Sequence, residues 1–301
     1  MKRILISGGS GLVGSRLTAL LLQKGYEVAH LSRKPPAYSK VPCYKWDVVK
    51  QEIETGAFEG VDCIIHLAGE AIVEKSWTPE RKAAILESRT QSAALLFKEV
   101  SKLQIKPQAF ISASAVGYYG FTDADKLFVE DDQPATDFTG ITCLAWENAV
   151  IPFESIMRTV RIRIGILLSN KGGALKPIAL PIKLGFAAAL GSGKQIVPWI
   201  HEDDVCGIFI SAIEDAKMQG VYNAVAPEIK NQKELTKALA KALHRPYFLP
   251  NVPEFVLKLI LGSRAPLVLK GNAVSCQKII DQGYVFLYPD LASALSEIYA
   301  D

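Results

Sequence analysis

Two patterns alternate through the first half of the chain. Short, almost uninterrupted apolar runs stand at RILIS (3–7), EVAHLS (27–32), CIIHLA (63–68), AFISAS (109–114) and VRIRIGIL (160–167). Between them, apolar residues recur at helical spacing over 12–24, 79–104 and 140–157. Runs without polar alternation suit strands covered on both faces, and a strand–helix–strand rhythm builds right-handed crossovers. The expected fold is α/β, a Rossmann-like doubly wound parallel sheet followed by a smaller α/β domain. The rhythm fails in the second half, where GGALKP, GFAAALGSGKQIVP and HRPYFLPNVP break the pattern with proline and glycine. Residues 1–167 are therefore read as a dinucleotide-binding domain and 168–301 as a substrate domain, with 201–225 expected to return to the first.

The segment SGGSGLVGSRLTALLLQKG (7–25) sets Gly8, Gly11 and Gly14 between the first strand and the first helix. Gly8 allows the tight turn, Gly11 lets backbone approach a pyrophosphate, and Gly14 lets the helix lie close to the sheet. Ser10, Leu12 and Val13 complete this cradle, where helix amides and dipole favour an anion. The second strand ends in LSRKP, with no carboxylate to accept from a ribose 2′-hydroxyl. Ser32 and Arg33 suit a 2′-phosphate instead, so the expected cofactor is NADP(H). Asp47 in YKWDV is placed to meet the adenine edge. Leu67, Ala68, Gly69 and Glu70 in HLAGEA form a strand end where backbone passes close to the cofactor.

Composition narrows the alternatives. The 301 residues are 49% hydrophobic and 22% charged, with net charge +3. Those charges form no basic block, so no nucleic-acid partner is expected. Cys43, Cys63, Cys143, Cys206 and Cys276 are widely spaced without a C-x-x-C, which suits free thiols and no metal site. No apolar run is long enough to cross a membrane, so no membrane partner is expected and the expected location is the cytoplasm. A small-molecule substrate is the expected partner, and a homodimer is compatible with the sequence.

Taken together, GGSGLVG, IIHLAG, FISASAVGYYG and RIRIGILLS resemble the short-chain dehydrogenase/reductase superfamily, in its extended, epimerase-like branch. SWTPERKAAILESRT, LAWENA, LGSGKQIVPWIHEDDV and GYVFLYPDLASALSEI resemble one atypical subgroup, the NADP-binding "epimerase family" proteins with a C-terminal domain of unknown function. In that subgroup a glutamate usually follows Leu-Gly in the C-terminal segment; here Ser263 stands there. The resemblance implies hydride transfer at a nicotinamide, with a serine orienting the substrate oxygen. It also implies a tyrosine that exchanges the proton and a lysine four residues later.

Ser114 fits the serine, with Ser112 as the alternative. The tyrosine and lysine are missing, because Cys143 and Glu147 hold those positions in TCLAWENA. Tyr118 and Tyr119, in the loop after Ser114, are the candidate proton donors. Cys143, Trp146 and Glu147 are expected to shape the substrate pocket, joined by Arg163, Gln195, Trp199 and His201. His201 also reads as a structural residue at a helix start, and Arg89 as a phosphate contact. Two functions remain open on these residues. One is an NADP(H)-dependent oxidoreductase or epimerase-like enzyme, and the other is a non-catalytic NADPH-binding sensor.

Overall fold

In the computed structural model, which describes residues 2–121 and 126–300, the apolar runs meet in one eight-stranded sheet. From one edge the strands are Gly220–Ala224, Arg158–Ile164, Ala109–Ala115, Val61–His66, Arg3–Ser7, Glu27–Ser32, Cys43–Asp47 and Glu52–Ile53. Each neighbouring pair is parallel except the last, which is antiparallel. The chain begins mid-sheet at Arg3–Ser7, winds outward, then crosses to Val61–His66 on the other side. That reversal opens a crevice at the C-terminal ends of these two strands, where such sheets take ligands. Strand interiors such as Ile4, Leu5, Ile6, Ile64, Ile65, Phe110, Ile111, Val160 and Ile162 are wholly buried, as the apolar runs require.

The first helix (Leu12–Gln23) and the long helix (Pro79–Lys102) lie close to where their periodicity put them. The long helix starts on Thr78, whose hydroxyl accepts from the Arg81 N–H, with Pro79 in the first turn. The third helix is shorter than 140–157. It spans Phe138–Val150 and gives way to a 3₁₀ turn at Ile151–Ser155. Pro152 explains the change, since it lacks the N–H that an α-helix needs and crowds the preceding turn. The run VRIRIGIL is also divided. Arg158–Ile164 stays in the main sheet, and Ile166–Leu168 pairs with Trp199–His201. A Cβ on Gly165, between them, would stand 2.3 Å from the Pro198 carbonyl oxygen.

The helix Glu202–Glu214 packs on the first helix, where Arg16 forks onto Asp203 at 2.6 and 2.9 Å. Gly220–Ala224 then extends the main sheet beside Arg158–Ile164. A second core gathers Leu168, Leu175, Ile182, Trp199, Leu235, Leu239, Leu291 and Leu295. Val274, Cys276 and Ile279, however, belong to the first core, with Tyr284 and Phe286 packed against it. The C-terminal segment thus crosses back to the large sheet, which the punctuated sequence pattern does not reveal. No described helix is long and apolar enough to cross a membrane.

His66, at a strand end beside the crevice, is completely buried between Ser7 Oγ (2.6 Å) and Ser92 Oγ (3.2 Å). Burial, then the nearby Arg89 charge, lowers its pKa from 6.5 to about 3. Below about pH 6.5 the unfolded chain therefore takes up a proton that the folded chain refuses until about pH 3. This contribution to stability is complete above that window and is lost as pH falls through it. Urea unfolding at a series of pH values from neutral to mildly acidic should show this slope, and His66→Gln should flatten it. Identical slopes in the two proteins would refute the assignment.

Candidate functional site

The glycine turn forms the floor of the crevice. Gly8 has a φ of +77°, and a Cβ there would lie 2.9 Å from both the Leu67 carbonyl carbon and the Ala68 nitrogen. Gly14 sits so close to the turn that its Cβ would fall 2.3 Å from the Gly8 oxygen. At Gly11 a Cβ would meet only the Gly8 oxygen, at 3.2 Å. Gly11 caps the first helix without a side chain, and no acidic residue stands in its first turn. The first helical N–H groups therefore remain for a ligand, and the dipole concentrates positive charge on them. Ser10 and Gly11 are exposed, Leu12 and Val13 half-buried. A Cβ on Gly172 or Gly173 would lie 3.6 or 3.3 Å from Leu12 Cδ2, so the GGAL segment runs near the turn.

Arg89 supports this floor from below. Its Nη1 donates to the carbonyls of Glu70 (3.1 Å) and Ile85 (2.9 Å). A Cβ on Gly69 would lie 3.0 Å from its guanidinium carbon, which is 4.9 Å from the Trp146 ring centre. Arg89 is thus placed as a clamp on the Gly69–Glu70 backbone. At the far end of the crevice Arg33 is largely exposed and donates to Glu70 Oε1 at 3.0 Å. Arg81 holds the other oxygen of Glu70 at 3.0 Å. Hydrogen bonds from Arg81 and then Arg33 keep the Glu70 carboxyl below the usual range. Ser32 Oγ accepts from the Lys34 N–H at 3.3 Å. Asp47 caps its own turn, with Oδ1 accepting from Val49 and Lys50 at 3.0 Å each.

The end of the crevice beyond the glycine turn is organised by a buried ion pair. Arg163 donates through Nε to Glu147 Oε1 (2.8 Å) and through Nη2 to Oε2 (2.9 Å), and both side chains are almost fully buried. Ser114 donates its hydroxyl to Glu147 Oε1 at 2.7 Å. Arg163 Nη1 continues to Tyr119 Oη (2.9 Å) and the Glu130 carbonyl (3.0 Å). Tyr119 in turn donates to Asn223 Oδ1 at 2.7 Å, and the Asn223 backbone N–H donates to Glu130 Oε1. The guanidinium carbon of Arg163 lies 3.4 Å from the Tyr118 ring centre. Burial alone would lower the Arg163 pKa, but its bonds to Glu147 outweigh that and raise it. Burial raises the Tyr119 phenol to about 12, partly offset by Arg163. Burial, then the Glu147 charge, pushes the Cys143 thiol to about 12.

The expected site residues therefore part company. Ser114, Cys143, Trp146, Glu147, Arg163, Tyr118 and Tyr119 cluster, while Ser112 turns its hydroxyl onto a backbone carbonyl. The Tyr118 hydroxyl makes no hydrogen bond among the described residues, and the buried Trp146 indole N–H likewise finds no partner among them. Gln195 instead ties its loop to the carbonyls of Leu190 and Val268. Trp199 is buried in the second core and donates to the Glu228 carbonyl. His201 has both nitrogens engaged, Nδ1 accepting from the Asp203 N–H and Nε2 meeting Glu297 at 2.9 Å. Sequence reasoning passed over Glu130 and Asn223. Asn223 carried a signal, as a polar residue in the apolar strand GVYNA.

Fold and crevice together define a dinucleotide-binding protein of the extended short-chain dehydrogenase/reductase type. Residues 4–139 match the NAD dependent epimerase/dehydratase family, and 252–298 match a domain of unknown function, DUF1731. The chain is 34% identical to human epimerase family protein SDR39U1, covering 99% of this chain and 100% of the relative. It is 35% identical to epimerase family protein YfhF of Bacillus subtilis, covering 99% and 98%. The chain belongs to this family of epimerase family proteins. The crystal structure of human SDR39U1 (isoform 2) with NADPH matches with a TM-score of 0.90 and 33% identity, covering 99% of each chain. The UDP-glucose 4-epimerase of Thermus thermophilus, in complex with NAD, shares the fold at a TM-score of 0.78 and 20% identity, covering 99% of each chain.

Removing one charge of a buried pair leaves the other uncompensated, at a cost of about 3–5 kcal/mol. Glu147→Gln should destabilise the protein by that order in urea unfolding. The double change Glu147→Gln with Arg163→Met should recover much of the loss, since no charge is then stranded. Independent, additive losses would show that the two groups do not act as a pair.

Proposed function

We propose that this chain binds NADPH in the crevice and acts as an oxidoreductase or epimerase-like enzyme in the cytoplasm. Its substrate would be a small carbonyl, alcohol or nucleotide sugar. The Gly8–Gly14 turn and the helix amides suit the pyrophosphate, and Ser32 with Arg33 suits a 2′-phosphate. Glu70 steadies Arg33 at that end rather than meeting the cofactor itself. The NADPH in the human relative's crystal structure supports the same reading. Bound nicotinamide would supply or accept the hydride.

The observation that carries the catalytic part is the state of the three hydroxyls. Ser114 donates to Glu147 and Tyr119 to Asn223, whereas the Tyr118 hydroxyl makes no hydrogen bond among the described residues and its ring lies against Arg163. Tyr118 is therefore the group assigned to exchange a proton with the substrate oxygen, and Ser114 is a positioning residue at most. The commitment of Ser114 and Tyr119 also favours a second reading, in which the protein binds NADPH and signals its presence without turnover.

NADPH consumption against a panel of carbonyls and nucleotide sugars separates the two. The enzyme reading expects turnover with some member, and a loss of about 100-fold or more in kcat for Tyr118→Phe with NADPH affinity kept. Tight NADPH binding with no turnover across the panel would favour the sensor. Arg33→Ala should weaken NADPH binding by about 10–100-fold, the worth of a charge-assisted hydrogen bond, and leave NADH binding unchanged. A chain that binds both cofactors equally well would overturn the 2′-phosphate assignment.

A further inference from the structure

The smaller domain has a charge that the rest of the molecule lacks. Residues 168–200 and 226–270 contain twelve Lys or Arg against three Glu, in a chain whose net charge is only +3. The same segments expose large apolar side chains. Leu184, Phe186, Phe248, Phe255, Leu259 and Ile260 are each between 63% and 84% exposed. The two stretches that carry them are neighbours. Leu190 pairs with Val252 in parallel, the Gly191 N–H donates to the Val252 carbonyl, and the Val252 N–H donates to the Ala189 carbonyl. Phe186 and Phe248 each stand four residues before that bridge. The helix Glu254–Leu261, EFVLKLIL, follows directly, and only Leu257 of its eight residues is buried. A helix apolar around most of its circumference and covered on one side has surface left to cover.

We propose that this face docks on an anionic lipid bilayer, with its apolar side chains at the boundary between headgroups and acyl chains. Charge decides between occupants. In a symmetric pair the same patch meets itself, so two surfaces of net positive charge would be pressed together. An anionic membrane supplies the opposite sign, and Lys183, Arg245 and Lys258 are exposed within three residues of Leu184, Phe248 and Leu259 along the chain. Lys258 is paired with Glu254 at 2.7 Å, and Lys183 lies 5.4 Å from the Tyr299 ring centre. Hydrogen-bonding chemistry points the same way. In FLPNVPEFVLKLIL (248–261) the one neutral polar side chain is Asn251, and it turns inward to the carbonyls of Gly191 and Ser192. The face offers charge and apolar bulk but few of the directional groups that protein interfaces use. It would hold the protein on a surface, not across one.

Co-sedimentation of the full chain with phosphatidylcholine vesicles, with and without phosphatidylglycerol, tests this. The expected result is binding about tenfold or more tighter to the phosphatidylglycerol vesicles, weakening as salt rises. Phe255→Ser with Leu259→Ser should abolish binding, and Lys183→Glu should reduce it for the anionic vesicles. Unchanged NADPH affinity in each variant shows that the fold is intact. Failure to sediment, equal binding to both vesicle types, or binding untouched by the double serine change would overturn the proposal. A dimer in solution that Leu259→Asp dissociates would overturn it as well, because a second copy would then occupy the face.

Discussion

The pocket around Ser114 and the two tyrosines depends on one bidentate contact, Arg163 to Glu147, sealed from water between a strand and a helix. Two charges leave water only where geometry and further hydrogen bonds compensate them. Here compensation recruits every polar neighbour. Ser114 turns its proton onto Glu147, Tyr119 and the Glu130 carbonyl take the remaining Arg163 donor, and Tyr118 lays its ring on the guanidinium. Cys143, one turn before Glu147, has its thiol pKa raised by burial and then by the glutamate's charge. The positions where the superfamily resemblance implies a tyrosine and lysine are therefore filled by a scaffold that orders the pocket.

The two halves of the crevice are built by different means. The nucleotide end is made of backbone, where glycines at 8, 11 and 14 remove side chains so that strand, turn and helix can meet. The end around Arg163 is made of side chains from distant parts of the chain. Asn272 donates to the carbonyls of Tyr119 and Gly120, and Asn223 donates to the Ser275 carbonyl. The C-terminal segment thereby fixes the loop that carries the two tyrosines. That contact accompanies the placing of Val274 and Ile279 in the first core although they lie within the stretch expected to form the second domain.

Local physics was legible in the sequence and long-range pairing was not. The continuous apolar runs located the central strands, and the glycine turn located the nucleotide end, because both are decided within a few residues. Glu147 and Arg163 were each singled out as pocket residues, but nothing in their spacing shows that a helix and a strand bring them into a fork. His201 was ambiguous for the same reason, since Glu297, which fixes its ring, lies 96 residues away. The expected helix 140–157 ran past Pro152 because apolar periodicity outweighed a breaker in the reading. The split of VRIRIGIL at Gly165 depends on Pro198, which no local pattern could supply.

The buried fork also limits where this sequence can go under mutation. A lysine at position 147 would face Arg163, two like charges without solvent. A tyrosine at 143 would need room where the thiol already stands 3.5 Å from the Cβ position of Gly117. A neutral residue at 163 would strand the glutamate. Each single step away from the present arrangement thus passes through a destabilised protein, and only concerted change at 143, 147 and 163 could restore a tyrosine–lysine relay. The ion pair couples 147 to 163, so that a tyrosine–lysine pair at 143 and 147 meets a cost in folding before any question of catalysis arises.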